Sequence, residues 1–180
     1  NTFNGNNALA FNLGTGTALE EKNNTDNTKY VAAKVGGAYY YNIAEAINAA
    51  EDGETVKVLH SHDCNVGATV ATGKTLTLDL NGKTVEGTDT ITGSFGLITN
   101  KGNLTVKNGT ITLKAENNRG WSAYSSVISN TVGGNLVVEN VTIEHLGGTD
   151  MAYGIDNLTN GKGTSAVANI NDGAVVKSCY

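Results

Sequence analysis

The sequence contains no proline, one arginine, one tryptophan, one methionine and two cysteines among its 180 residues. Each scarcity excludes something. Without proline, tight turns depend on residues that tolerate left-handed backbone angles. With Arg119 as the sole arginine and a net charge of −5, no basic stripe exists to neutralise phosphates, and nucleic acid is not an expected partner. Two cysteines in a chain of this length do not make a disulfide scaffold. No apolar run approaches the roughly 18 residues of a membrane span, so membrane insertion is not expected. No signal peptide is visible, and Asn1 reads as the start of a mature or trimmed chain.

What is abundant points one way. There are 24 Asn, 23 Thr and 23 Gly. Asn and Gly suit turns that need positive φ, and Thr suits strands. Hydrophobic residues make up 39% of the chain and charged residues 16%, which is enough apolar material for a core and argues against disorder. Many short strands joined by many tight turns would use this composition; long helices would not.

Residues 1–29 form a polar N-terminal segment. Within it, Leu9, Phe11 and Leu13 alternate and predict an added strand near 8–13, before a loop over 20–27. Residues 30–59 read as a cap. Two short apolar runs flank Gly36-Gly37, a hairpin signal. A helix is predicted over 43–50. Asn42 is placed to cap it, Glu45 has capping-box spacing, and Ile43, Ala46, Ile47 and Ala50 share a face. Asp52-Gly53 stops it, and Thr55–Leu59 is a strand.

From residue 73 the chain echoes itself. Gly73-Lys74-Thr75-Leu76 is followed by Gly102-Asn103-Leu104, Gly134-Asn135-Leu136 and Gly163-Thr164-Ser165, with glycines 29, 32 and 29 residues apart. A second echo runs through Leu80-Asn81-Gly82, Lys107-Asn108-Gly109, Glu139-Asn140-Val141 and Ile170-Asn171-Asp172. A third comprises Ile98-Thr99-Asn100, Ile128-Ser129-Asn130 and Ile155-Asp156-Asn157. A period near 30 residues with three short strands fits a solenoid better than a propeller, whose blades need about 40 residues and four strands. The expectation is an all-β, parallel β-helix with three strands per coil, spanning residues 60–180. Leu, Ile and Val would point inward, and the recurrent Asn would stack in a ladder from coil to coil. Cys64 and Cys179 would then lie several coils apart, roughly 15–20 Å at about 4.8 Å per coil, too far for an intrachain disulfide. The helix would cap the first coil. No second cap precedes Tyr180, so the native chain is expected to continue.

The stretch Asn42-Ile43-Ala44-Glu45-Ala46-Ile47-Asn48-Ala49-Ala50-Glu51-Asp52-Gly53-Glu54-Thr55-Val56 resembles the segment that opens right-handed β-helices of the pectin-lyase-like superfamily, where it forms the capping helix and first strand. Residues 73–177 resemble the coils of β-helical bacterial surface proteins and adhesins. The resemblance covers roughly residues 40–180 and implies a right-handed β-helix. The fold hosts lyases, hydrolases and non-catalytic adhesins alike, so it leaves function open.

The chemistry-bearing residues are sparse. Polysaccharide lyases of this superfamily use acidic clusters and a basic residue, whereas here Asp79, Glu86, Asp89, Glu116, Glu139 and Glu144 are scattered. Asp79 and Glu139 are read as outward-facing, two coils apart at best. His60, His62 and Cys64 would share one face of a strand and form a weak candidate metal site. The reading preferred over it is a turn after the first strand, with no metal and no cofactor. Trp121, Tyr124 and Arg119 lie in the longest insertion between coil strands, and Asp150 and Tyr153 fall in the next. Insertions in a repeat gather on one side of the stack, and aromatic side chains there can stack on sugars or fill a partner's pocket.

The function expected on these grounds is a non-catalytic, adhesin-like module, secreted or on a bacterial cell surface. It would bind a host glycan or host glycoprotein, immunoglobulins included, through Trp121, Tyr124, Arg119, Asp150 and Tyr153. The alternatives are the N-terminal part of a polysaccharide lyase or glycoside hydrolase, and a purely structural spacer.

Overall fold

The computed structural model describes residues 2–3, 25–26, 31–88, 96–114, 125–147, 152–158 and 165–178. The predicted strand at 8–13 lies outside them. Strands β1 (Thr2–Phe3) and β2 (Thr25–Asp26) pair with each other in parallel. The hairpin expected around Gly36-Gly37 is present: β3 (Ala33–Val35) and β4 (Ala38–Tyr40) are antiparallel. Gly36 turns the chain at a φ of 58°, a conformation that glycine adopts without steric cost.

Helix α1 (Ile43–Ala49) follows. Its Asn42 cap accepts a hydrogen bond from the Glu45 N–H at 2.8 Å. The Glu45 carboxylate reaches back to the Tyr41 N–H at 3.3 Å, one residue before the usual capping-box donor, and also accepts from the Asn42 amide at 3.0 Å. Seven residues would not hold as an isolated helix. Burial of Ile43, Ala44, Ala46 and Ile47 against the hydrophobic core supplies the rest.

The remaining strands run β5 (Thr55–Val58), β6 (His62–Cys64), β7 (Ala68–Val70), β8 (Thr75–Thr88), β9 (Gly96–Asn100), β10 (Asn103–Lys114), β11 (Ser125–Asn130), β12 (Asn135–Leu146), β13 (Ala152–Asn157), β14 (Val167–Ile170) and β15 (Val175–Ser178). The described chain is mostly β, and its large sheets are built from parallel strands. A nine-stranded sheet has the order β14-β12-β10-β8-β5-β3-β4, with β15 also on β12 and β6 also on β8. A four-stranded sheet has the order β13-β11-β9-β7. Neither sheet closes on itself. Only β3, which pairs antiparallel with β4 and β5, breaks the parallel pattern of the nine-stranded sheet.

The sequence echoes are spatial neighbours. Leu76, Leu104 and Leu136 are in register, as are Leu78, Val106 and Val138, and Val85, Ile111 and Ile143. All nine are at most 2% exposed, and full burial of each such side chain stabilises by about 1.5–3 kcal/mol. Ile98, Ile128 and Ile155 align in the second sheet.

Two expectations change. The first and second echoes do not form separate strands in the middle of the chain: each pair runs through as one long strand, β8, β10 or β12, and only the last pair separates into β14 and β15. The joint is a residue in the left-handed region, Asn81, Asn108 or Asn140, with φ of 51°, 61° and 47°. Asn visits that region at low cost and bends the strand without ending it. The glycine alignment also shifts by one residue. Asn103 pairs with Thr75, so Gly102 stands level with Lys74 rather than with Gly73. Gly73 is needed for a turn with φ of 79°. At Gly102 the need is space, because a Cβ would lie 2.4 Å from the Ala71 and Lys74 carbonyl oxygens.

The third-echo asparagines form a ladder. The Asn100 amide donates to Asn130 Oδ1 at 2.8 Å, and the Asn130 amide donates to Asn157 Oδ1 at 2.7 Å. The same two amides also donate to the Asn135 and Val167 carbonyls at 3.2 and 2.9 Å. Asn100 and Asn130 are fully buried, so the bond between them is made out of water, where an unmade partner costs about 1–3 kcal/mol. Asn130→Ala is expected to destabilise by about 2–4 kcal/mol, read as a lower urea midpoint. Asn130→Asp should cost more, since its carboxylate would face the Asn157 and Val167 oxygens that now accept an amide hydrogen.

Candidate functional site

The joints of β8, β10 and β12 line up along the nine-stranded sheet and form an open groove of about 570 Å³. Its polar side chains are Asp79, Asn81, Asn108, Thr110, Asn140 and Thr142, and Gly82, Gly109 and Gly173 expose backbone to it. The sequence builds it through an Asn at positive φ on each strand, Asn81, Asn108 and Asn140, with Thr two residues on in β10 (Thr110) and β12 (Thr142) and Lys83 in that place in β8. Gly109 is obligatory. Its φ is 158°, and a Cβ there would meet Leu80 Cβ and the Lys83 carbonyl at 2.6 Å. Those contacts arise because β8 carries a register shift against β10 between Lys107 and Gly109.

A second set of amide contacts runs along the floor. Asp79 Oδ1 accepts from the Asn81 N–H at 2.9 Å and from the Asn108 amide at 3.2 Å. The Asn140 amide donates to Asn108 Oδ1 at 3.4 Å, and the Asn81 amide to the Val58 carbonyl at 3.1 Å. Unlike the buried ladder, this row faces solvent: Asn81 and Asn140 are exposed. Among the described lining residues there are amides, hydroxyls, one carboxylate and backbone groups. Such a surface can exchange hydrogen bonds with a hydroxyl-rich ligand. Its carboxylate already holds two donors, which leaves it poorly placed to act as a base.

Of the residues singled out from sequence, Arg119, Trp121, Tyr124 and Asp150 lie outside the described residues. Tyr153 is half-buried in β13, opposite Ser126, on a different sheet from the groove. Asp79 and Glu139 face outward on β8 and β12, two strands apart as read, with Lys107 in register between them. The alternation of sign is a favourable cross-strand arrangement.

His62 and Cys64 share a face of β6, but His60 does not join them. Strand β6 begins at His62, and His60 sits in the bend before it. His60 Nδ1 contacts the Val31 carbonyl at 2.7 Å. His62 Nε2 accepts from the Ile43 N–H at 3.2 Å while Nδ1 donates to the His60 carbonyl at 3.0 Å. Cys64 is a free, buried thiol that donates to the Val66 carbonyl at 3.3 Å. Burial pushes its pKa up, away from the thiolate a metal would need. Among the described residues, no group of three or more His, Cys, Asp or Glu side chains could hold a metal ion. Cys179 lies outside the described residues.

Sequence reasoning missed the groove, although the recurring Asn-Gly pairs signalled it. They were read as turns, and contacts were sought at the aromatic loops. His145 is fully buried, with Nε2 2.7 Å from Ser125 Oγ, and ties the start of β11 to the end of β12.

No family model matches the chain, and neither a curated protein nor a solved structure matches it.

His62 makes the cap sensitive to acid. Burial lowers its pKa below the ordinary 6.5, against smaller opposing effects of the His60 carbonyl and Asp63. The accepting Nε2 must also be bare to receive the Ile43 N–H. A neutral folded form and a more basic unfolded form mean that stability is complete above pH 6.5 and declines as the pH falls below it, because the unfolded chain then takes up the proton. Thermal melts are expected to show a falling midpoint from pH 6.5 toward about 5.5, above the range in which ordinary carboxylates titrate. His62→Gln, which can accept but does not titrate, should flatten that slope.

Proposed function

We propose that this chain is a right-handed parallel β-helix module of the pectin-lyase-like kind. It would be non-catalytic, secreted or carried on a bacterial cell surface, and would bind a glycan along its groove. In-register parallel pairing over two sheets and a capping helix at one end support the fold reading. The positive-φ asparagines Asn81, Asn108 and Asn140 at the strand joints, with Thr110 and Thr142 beside them, carry the functional reading. Parallel neighbours lie about 4.8 Å apart, so the groove offers amides on three strands and hydroxyls on two at regular intervals, as a chain of sugars offers hydroxyls. The net charge of −5 and Asp79 in the groove favour neutral glycans over uronic acid polymers. Host glycoproteins, immunoglobulins included, are the corresponding macromolecular partners.

A second reading, the N-terminal part of a polysaccharide lyase or glycoside hydrolase, draws on the Asp79–Lys107–Glu139 column, which puts an amine between two carboxylates.

The test is a screen of the purified protein against neutral plant and mucin-type glycans, uronic acid polymers and host glycoproteins, with bound fractions scored for new chain ends. Asn108→Gly keeps the positive φ and removes only the amide; Thr110→Val removes only the hydroxyl. Each is expected to weaken neutral glycan binding about tenfold, the effect of losing one or two hydrogen bonds. Absence of binding by the unaltered protein would remove the reading. Binding lost in Trp121→Ala but kept in both groove variants would move the site to the loops. New chain ends would favour the enzyme.

A further inference from the structure

The groove is not built alike along its length. From β10 to β12 the strands match residue for residue. Lys107 pairs with Glu139 and Gly109 with Val141, so the single Asn108 stands against the single Asn140. From β8 to β10 they do not match. Asp79 pairs with Lys107 and Lys83 with Gly109, so Leu80, Asn81 and Gly82 stand opposite Asn108 alone. A strand that carries extra residues bulges out of the ladder. Leu80 is fully buried, whereas Asn81 and Gly82 are exposed, so these two rise from the sheet.

The bulge is held in place. The Asn81 N–H donates to Asp79 Oδ1 at 2.9 Å, and the Asn81 amide reaches down to the Val58 carbonyl at 3.1 Å. Just past it, the Thr84 N–H donates to Ser61 Oγ at 3.0 Å. Its base lies directly against Gly109, where a Cβ would meet Leu80 Cβ and the Lys83 carbonyl oxygen. The groove stops there: among the described residues, none of β5, β6 or the bend between them lines it. Its volume of about 570 Å³ is that of a small-ligand pocket, about 300–1,000 Å³, and not of a long cleft.

We propose, resting on the glycan reading above, that the β8 bulge is a wall and that the groove takes the end of a neutral glycan chain, its terminal sugar against Asp79 and Asn81. An interior stretch of polymer continues in both directions. Here one continuation would have to climb over Asn81 and Gly82, away from the amides and hydroxyls of Asn108, Thr110, Asn140 and Thr142. A chain end needs no such detour. It also carries a hydroxyl that an interior sugar has spent in its linkage. A carboxylate has about four acceptor sites, and the Asn81 and Asn108 donors occupy only one oxygen of Asp79, so Asp79 can accept from that hydroxyl.

The test is a calorimetric titration of the unaltered protein with size-fractionated neutral β-glucan, mannan and galactan, from short oligosaccharides to polymer. The number of proteins bound is expected to follow the number of chains at every length, with affinity levelling off once the chain fills the groove. Binding in proportion to chain length would overturn the proposal while leaving the glycan reading in place. No binding of any of the three would remove both. Asn81→Gly keeps the positive φ and strips the wall of its side chain. It is expected to weaken binding of the short chains about tenfold. Undiminished binding by this variant, with an unchanged circular dichroism spectrum, would count against the wall. Should the variant fail to fold, the titration of the unaltered protein decides.

Discussion

The amide row Asn100–Asn130–Asn157, buried at its first two members, sets the register on which everything else depends. Apolar columns alone would tolerate sliding, since Leu, Val and Ile can pack against one another at several offsets. A fully buried amide cannot slide, because its donor and its acceptor must both meet partners one strand above and below. A slip of one residue would orphan the amides and turn every core side chain toward solvent. Gly134 shows how tightly the row is held: a Cβ there would lie 2.5 Å from Asn130 Oδ1. The long strands β8, β10 and β12 inherit their alignment from this row.

The groove is a by-product of the same alignment. Once the strands are in register, the bends at Asn81, Asn108 and Asn140 also fall into line, and their amides share a solvent-facing surface. One residue type thus serves two environments. At the buried row the amide is consumed by the fold. At the bends it is only partly used, with longer bonds such as the 3.4 Å contact between Asn140 and Asn108. Proteins that bind hydroxyl-rich ligands need polar groups that are fixed in place and not fully committed, and the second row meets both conditions.

Much of this was legible in the chain, for identifiable reasons. The helix announced itself through Asn42 and Glu45, and the hairpin through Gly36-Gly37, because capping and tight turns are decided by neighbouring residues. The repeats gave the strand partners, because stacking equivalent positions is the simplest way to bury an apolar stripe. What was hidden depended on contacts between levels. Gly73 and Gly102 look alike in sequence, but one serves a left-handed turn and the other a close approach to the carbonyls of Ala71 and Lys74. The merging of two echoes into one strand depended on whether Asn108 would bend the chain or break it, which the register shift beside it determines. The proximity of Ser125 to His145 could not be read without knowing which strands adjoin. The loop residues Arg119, Trp121, Tyr124 and Asp150 remain expectations of the sequence.

The hairpin and capping helix also give the molecule a direction in time. Parallel partners from β5 onward are separated by 22 to 33 residues of chain, so each level requires a sizeable loop to close before any pairing rewards it. The β3–β4 hairpin needs only adjacent residues, and α1 needs its local caps together with the nearby core strands that bury its apolar face. They are the natural seed, emerging before the repeats as the chain is synthesised from its N-terminus. Each level laid down afterwards presents a finished template to the next. A fold with nearest-neighbour contacts of this kind can grow in one direction, from the hairpin, the helix and the first parallel strands that bury it.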